Sequence, residues 1–511
     1  MKKLLASAVI LVFGVLGFMP FAQGANVQKG GNLVFGSVTE VASLDPHIYQ
    51  GTSWKTITLC LYNSLLSFND KGEPVPSLAE KWEMPDGKTV VLHLRKGVKF
   101  HKGQPLTARD VKYSFERILD PATGATFRSN LQEIKMTILD DHTIKIEKEQ
   151  PDVTILNDLA MIELAVVSEE WMKSNPNIKL EANGTGPFLL AENEPKVRVV
   201  VKRNAAYFEK DLPHLDQIEF RMIKDGEARV NALKTGAVDM IDTVPWKDID
   251  ILKKTKGIKV DVSDGEFMNL WLNTSKKPLD DPRVRRAIAF GIDRQAVSEA
   301  AFFGYGSPLY GPPTVSSAWY FNKDMEKTFS HDPVKARQLL AEAGYAKGFD
   351  LELLTYQGLT IYTTTAQIIQ ANLKEIGINV NIQLAEWATV VEKKNKGQYD
   401  FLIYGVTIKS PDPDGYSYYF GSESGYWAKP VNFKDDKLED LLKKGRSTLD
   451  RDQRKKIYYE VEKRVMELSP WIFINWRAKA QAYKDKVHGY VHTGGGLAEN
   501  FPGVKTVWIA K

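Results

Sequence analysis

From residue 349 onward the chain repeats strand and helix patterns in a fixed order, and this series limits the possible folds more than any other feature. Asp350 to Tyr356 reads as a strand, Thr363 to Ile376 as a helix and Ile378 to Leu384 as a strand. Trp387 to Lys396 then reads as a helix and Asp400 to Gly405 as a strand. A β-α-β-α-β series needs crossover connections, which run right-handed and pair the strands in parallel. Ligands of such sheets sit beyond the carboxyl ends of the strands. The loops after Tyr356 and after Gly405 are therefore the first places to look for a site.

The preceding chain carries the same alternation, which predicts an α/β fold. Asn32 to Val38 and Thr89 to Leu94 read as strands. Thr107-Ala108-Arg109-Asp110 is a capping box ahead of Val111, Phe115, Ile118 and Leu119, which recur at helical spacing. Met136 to Leu139 and Thr143 to Ile146 flank Asp140-Asp141-His142 as the arms of a hairpin. Asp281-Pro282 and Asp332-Pro333 each start a helix, and Gly344 stops the second one. A length of 511 residues exceeds what one hydrophobic core supports, so two or three domains are expected.

The amino terminus predicts export. Lys2 and Lys3 precede an apolar run from Leu4 to Phe18, Pro20 breaks it, and Ala22-Gln23-Gly24 offers small residues for cleavage. The run is short for a membrane-spanning helix, which needs about 20 apolar residues. The expectation is a signal peptide at 1–24 and a released chain in the periplasm. No cysteine stands near the cleavage site to carry a lipid. The single cysteine, Cys60, lies in an apolar stretch and reads as a buried small hydrophobe. Charges of both signs are interspersed at a formal net charge of +4, without a basic block for nucleic acid or an anionic membrane.

Catalytic and metal chemistry finds little footing. Gly421-Ser422-Glu423-Ser424-Gly425 places its serines wrongly for a nucleophile elbow. Gly494-Gly495-Gly496 lacks the Gly-Lys pair of a phosphate loop. His488 and His492 are four apart, but Gly489 breaks the segment, so no metal pair and no cofactor are expected. An exported α/β hydrolase acting on a peptide or ester stays open as an alternative, because catalytic groups can converge from distant segments.

The stretch Ser77-Leu78-Ala79-Glu80-Lys81-Trp82, Asp86-Gly87-Lys88-Thr89 and Leu94 to His101 resembles the signature of family 5 extracellular solute-binding proteins. Ser43-Leu44-Asp45-Pro46, Gly184-Thr185-Gly186-Pro187-Phe188, Arg203-Asn204 with Tyr207, Leu215-Asp216 and Thr235 to Asp239 extend the likeness in order. Asn273, Asp281 to Ile288 and Ala343-Gly344-Tyr345 complete it. The glycines among these residues suit turns that need positive φ. Arg283, Arg285 and Arg286 read as exposed surface cations of one helix.

The resemblance implies a two-lobe binding protein of three domains, with hinge closure and an extra inserted domain. Domain I would be discontinuous over 25–53, 186–268 and 478–511, domain II would span 54–185, and domain III 269–477. It also implies a monomer that passes a small molecule to the permease subunits of an ABC importer. A chemosensory or chaperone role would use the same lobes.

Peptide binders of this family carry an aspartate that pairs with the peptide's α-amino group. At the matching position this chain has Lys409, in Thr407-Ile408-Lys409-Ser410-Pro411-Asp412-Pro413. A cation there repels an ammonium. It either meets an anionic group of the solute, or points to solvent or pairs with Asp412. The arginine that dipeptide binders use for the terminal carboxylate aligns with Gly358, beside Tyr356 and Gln357. Trp54, Tyr356 and Trp387 are candidate aromatic walls, each equally suited to a core. The candidate ligand-binding set is therefore Trp54, Tyr356, Gln357, Trp387, Lys409 and Asp412.

Overall fold

End signals place the helices where the sequence puts them. In the computed structural model, the Thr107 backbone N–H and hydroxyl both donate to Asp110, opening the helix Ala108–Leu119. Asp281 accepts from the Arg283 N–H at 2.8 Å, and Asp332 from the Lys335 N–H at 2.9 Å. Each satisfies a backbone donor that the first helical turn leaves without a partner. Gly344 follows the second of these helices at φ +89°, as a left-handed stop requires.

The structure describes residues 27–38, 41–48, 52–175, 178–406, 408, 412–422, 427–491 and 503–510. The export segment, Lys409, His492 and Gly494 to Gly496 lie outside them. Among the described residues no helix is long and apolar enough to cross a membrane.

An eleven-stranded sheet runs through the molecule among the described residues. At one end Ile378–Ala385, Phe349–Tyr356 and Phe401–Val406 lie side by side in parallel, in that order. This is the wound series read from the sequence. At the other end Asn32–Ser37 pairs in parallel with Gln217–Met222, which continues antiparallel into Arg198–Arg203 and Phe188–Glu194.

Two long antiparallel strands, Ile258–Leu272 and Trp471–Lys484, join the halves. Trp471–Lys484 pairs on its other edge with Met240–Ile241, and Ile258–Leu272 pairs on its other edge with Phe401–Val406. Their register shifts between Asp264 and Phe267. A β-bulge of this kind bends a strand locally and increases its twist.

Separate cores sit on each part. Phe267, Trp271, Trp471 and the residues around them form one, with the Trp271 and Trp471 rings stacked at 4.7 Å. Leu33, Phe35, Cys60 and Phe188 form another. A four-stranded antiparallel sheet made from Ala79–Glu83, Thr89–Leu94, Thr143–Lys148 and Ile134–Asp140 has its own core, which includes Leu92, Phe115 and Ile144. That core runs from Leu65 to Val166, whereas Trp54, Ile57, Ile162 and Ala182 pack with the first strand.

Two sequence expectations are corrected. Arg285 is no surface cation: it is buried and donates to the carbonyls of Leu468 and Leu279, both at 2.7 Å. These acceptors lie on other segments, which helix periodicity cannot reveal. Gly184 and Gly186 do not have positive φ. They are required because the turn lies against the backbone of Cys60 to Tyr62, where a Cβ on Gly186 would stand 2.7 Å from the Tyr62 nitrogen.

His101 braces the same turn. Its N–H donates to the Gly184 carbonyl at 2.8 Å, and its ring Nε2 lies 3.1 Å from the Gly186 carbonyl. Burial lowers the imidazole to about 4, so the folded state holds it neutral. The unfolded chain takes up that proton below the ordinary value near 6.5. Stability therefore falls as pH drops from 6.5 towards 4, by roughly 2 kcal/mol at pH 5 from this residue. His101→Gln keeps a donor for Gly186 but does not titrate. Urea unfolding at pH 7 and pH 5 should show a smaller acid loss in the variant; an equal loss would refute the assignment.

Candidate functional site

Three of the predicted residues meet beyond the carboxyl ends of the parallel strands. Tyr356 ends one strand and Gln357 follows it, with its N–H on the Ala385 carbonyl at 3.0 Å. The Gln357 amide donates to Glu386 at 2.5 Å, and Trp387 opens the next helix, 40% exposed. The Tyr356 and Trp387 rings meet edge to face with centroids 5.6 Å apart, the geometry that suits the ring quadrupoles. The Tyr356 ring also lies across Gly358, where a Cβ would stand 2.8 Å from Cε2. No arginine fits there while Tyr356 holds this position.

Behind these rings lie buried residues that sequence reasoning missed. Trp387 stacks on Tyr404 at 5.2 Å, and Tyr404 sits at 4.8 Å from Trp271. Lys394 lies beneath Trp271 and Tyr404 with its ammonium 5.4 and 5.6 Å from the two ring centroids. Burial lowers that ammonium to about 8. On the other side Tyr362 stands 6.0 Å from Tyr356, ring to ring. Tyr404 falls within a strand read from the sequence, but the run Phe401 to Tyr404 is apolar and buried throughout, so no alternation singles it out.

Charge enters where the long strands cross. Arg477 donates from Nη1 to Glu266 at 2.5 Å, with the side chains 22% and 43% exposed. The pair lies at the register shift beside Gly265, and packs against the end of Phe401–Val406. A Cβ on Gly405 would stand 2.8 Å from the Tyr362 hydroxyl and 3.2 Å from Arg477 Nη1. Burial raises the Tyr362 phenol, and Arg477 opposes that shift.

The other predicted residues go elsewhere. Trp54 is fully buried in the core around the first strand, so its burial is that of a core residue rather than an open wall. Asp412 is buried as well and is not a free rim carboxylate. Arg454 grips both its oxygens, at 2.6 and 2.5 Å, and Asn157 donates to it at 3.1 Å. Burial works against the Arg454 charge, yet Asp412 outweighs it and holds the guanidinium above its usual value. Asn157 belongs to the segment beneath the small sheet, so this contact ties that unit to the wound one. Tyr418 to Asn130 at 2.9 Å and the Val153 N–H to the Arg446 carbonyl at 3.1 Å run parallel to it. Lys409 lies outside the described residues.

The architecture has solved counterparts. AgaA from A. tumefaciens R10, in complex with agropinic acid, is 36% identical, with a TM-score of 0.80 over 94% of this chain and 99% of that one. HbpA2 from Haemophilus parasuis is 27% identical, with a TM-score of 0.85 over 94% and 100%. A dipeptide-binding protein of Pseudomonas aeruginosa is 28% identical over 96% of this chain and 97% of its own length. The family described as bacterial extracellular solute-binding proteins, family 5, matches residues 73–428, and the chain belongs to that family.

Proposed function

We propose that this chain is the periplasmic receptor of an ABC importer, and that it captures a small acidic solute between its lobes without catalysis. The observation that carries this reading is the pair of continuous strands, Ile258–Leu272 and Trp471–Lys484, which join two separately cored units and bulge at the crossing. Such strands let the lobes rotate as bodies. A solute that touches both lobes stabilises the closed form by its differential affinity. A permease that distinguishes closed from open then reads occupancy. The separate cores support a division into three domains, with the core of domain II confined to Leu65 to Val166 inside the expected 54–185.

The acidic solute rests on the sequence and on a solved relative. Lys409 stands where a peptide binder has the aspartate that pairs with an α-amino group. The structure at 36% identity holds agropinic acid, an acid by name.

The full chain, purified from its own host's periplasm, should release a small acidic solute identifiable by mass spectrometry. At 100 times its Kd that solute should add about 2.7 kcal/mol of stability without being consumed. Lys409→Asp should weaken binding at least tenfold. Turnover of the solute would refute the receptor reading, and unchanged affinity would remove Lys409 from the site.

A further inference from the structure

We propose that Arg477 is the fixed anion anchor at the base of the cleft, and that it binds a carboxylate of the solute through its Nε–Nη2 edge. This rests on the receptor reading above and names a residue and a ligand group for it.

The guanidinium presents a planar fork. Its Nη1 corner is taken by Glu266. The Nε–H is buried and has no acceptor among the described residues. A buried donor left in this state is costly, because it has given up water without a replacement. The edge that carries it, Nε with Nη2, is the one that matches the two oxygens of a carboxylate. The charge is also held in place: the backbone of Arg477 pairs with Gly306 on one side and lies at the register shift of the opposite strand on the other.

Position relates this fork to the wall. Arg477 packs on Gly405, the penultimate residue of the strand Phe401–Val406, together with the Tyr362 hydroxyl. Tyr362 leads to Tyr356 and Tyr356 to Trp387. A cation at the crossing, below a line of aromatic rings, suits a solute with a carboxylate at one end and a flat or apolar body. Glu266 neutralises part of the charge when no solute is present and competes with the incoming carboxylate. The absence of a side chain at Gly405 leaves Nη1 and the Tyr362 hydroxyl together over the strand end. The same arrangement also explains why Glu266 and Arg477 are partly exposed rather than sealed.

The two members of the pair therefore make opposite predictions. The full chain is stripped of bound solute and equilibrated with yeast extract, which holds neutral, cationic and anionic small molecules. Retained solutes are identified and counted by mass spectrometry. Wild type should retain a carboxylate-bearing solute. Arg477→Met should lose it tenfold or more, and Arg477→Lys, which keeps the charge but not the fork, should lose less. Glu266→Gln should retain as much as wild type or more. If Arg477 and Glu266 serve only as an ion pair of the crossing strands, both substitutions act alike, and that result overturns the proposal. So does retention by Arg477→Met or Arg477→Lys at the wild-type level, or a retained solute without a carboxylate. Should Arg477→Met fail to fold, Arg477→Lys and Glu266→Gln still decide between these outcomes. A wild-type chain that retains nothing from any mixture defeats the receptor reading itself, which is a separate failure.

Discussion

Gly186→Ala should destabilise the protein by about 3 kcal/mol, although it adds one methyl group to a turn far from the wall. The cause is backbone against backbone. A Cβ at this position falls on the Cys60 and Leu61 carbonyl region and 2.7 Å from the Tyr62 nitrogen. Those atoms end the helix Thr52–Leu61 and have no rotamer to change. The turn is also bonded in place: the Gly186 N–H donates to the Leu61 carbonyl at 3.0 Å, and Asn204 donates to the Gly186 carbonyl at 3.0 Å. Relief must therefore move the helix end or break these bonds. Gly97→Ala is the control. Gly97 has φ +79° with open space around it, so its alanine variant suffers only the left-handed strain of about 1–2 kcal/mol. Urea unfolding midpoints compare the two. If Gly97→Ala proves the more damaging, conformation rather than contact governs these glycines.

That pair of glycines shows where sequence reasoning reaches and where it stops. Both look alike in the chain, and both stand in family-like motifs. Only the fold reveals that one is needed for its φ and the other for its neighbours. Signals that act within a few residues were legible. The Thr107 to Asp110 box, the aspartate-proline helix starts and the strand-helix alternation after Phe349 all appear where they were expected, because caps and periodicity are local. The strand-end positions of Tyr356, Gln357 and Trp387 were legible for the same reason, since the ends of parallel strands can be read from the strand order. Arg477 could not be found that way. Its role depends on a register shift opposite it in a partner strand, on a glycine in a third strand and on a tyrosine from a helix. Arg285 and Asp412 were misread on similar grounds. Arg285 read as a surface cation and Asp412 as a ligand-site carboxylate, and each is buried by partners that lie far along the chain.

Asp412→Ala should cost about 3–5 kcal/mol and also weaken solute binding. The stability loss follows from Arg454, which is buried and keeps its charge; without Asp412 its guanidinium has lost the carboxylate that met both of its terminal nitrogens. The double variant Asp412→Leu with Arg454→Met should recover much of this loss, since it removes both charges from the interior. Binding responds for a different reason. Asp412 stands three residues after Lys409 in the chain, and Asn157 bonds it to the unit built on the small sheet. Asn157→Ala separates the two effects. It leaves the ion pair intact and removes one cross-unit hydrogen bond, so its stability cost should stay near 1 kcal/mol. Its effect on solute affinity should nevertheless be measurable, because the bond it removes joins the two bodies that close on the solute. Urea unfolding gives the first quantity, and titration of the copurified solute by calorimetry gives the second. If Asn157→Ala leaves affinity untouched while Asp412→Ala lowers it, the ion pair alone accounts for the binding effect and the contact between the units plays no part in closure.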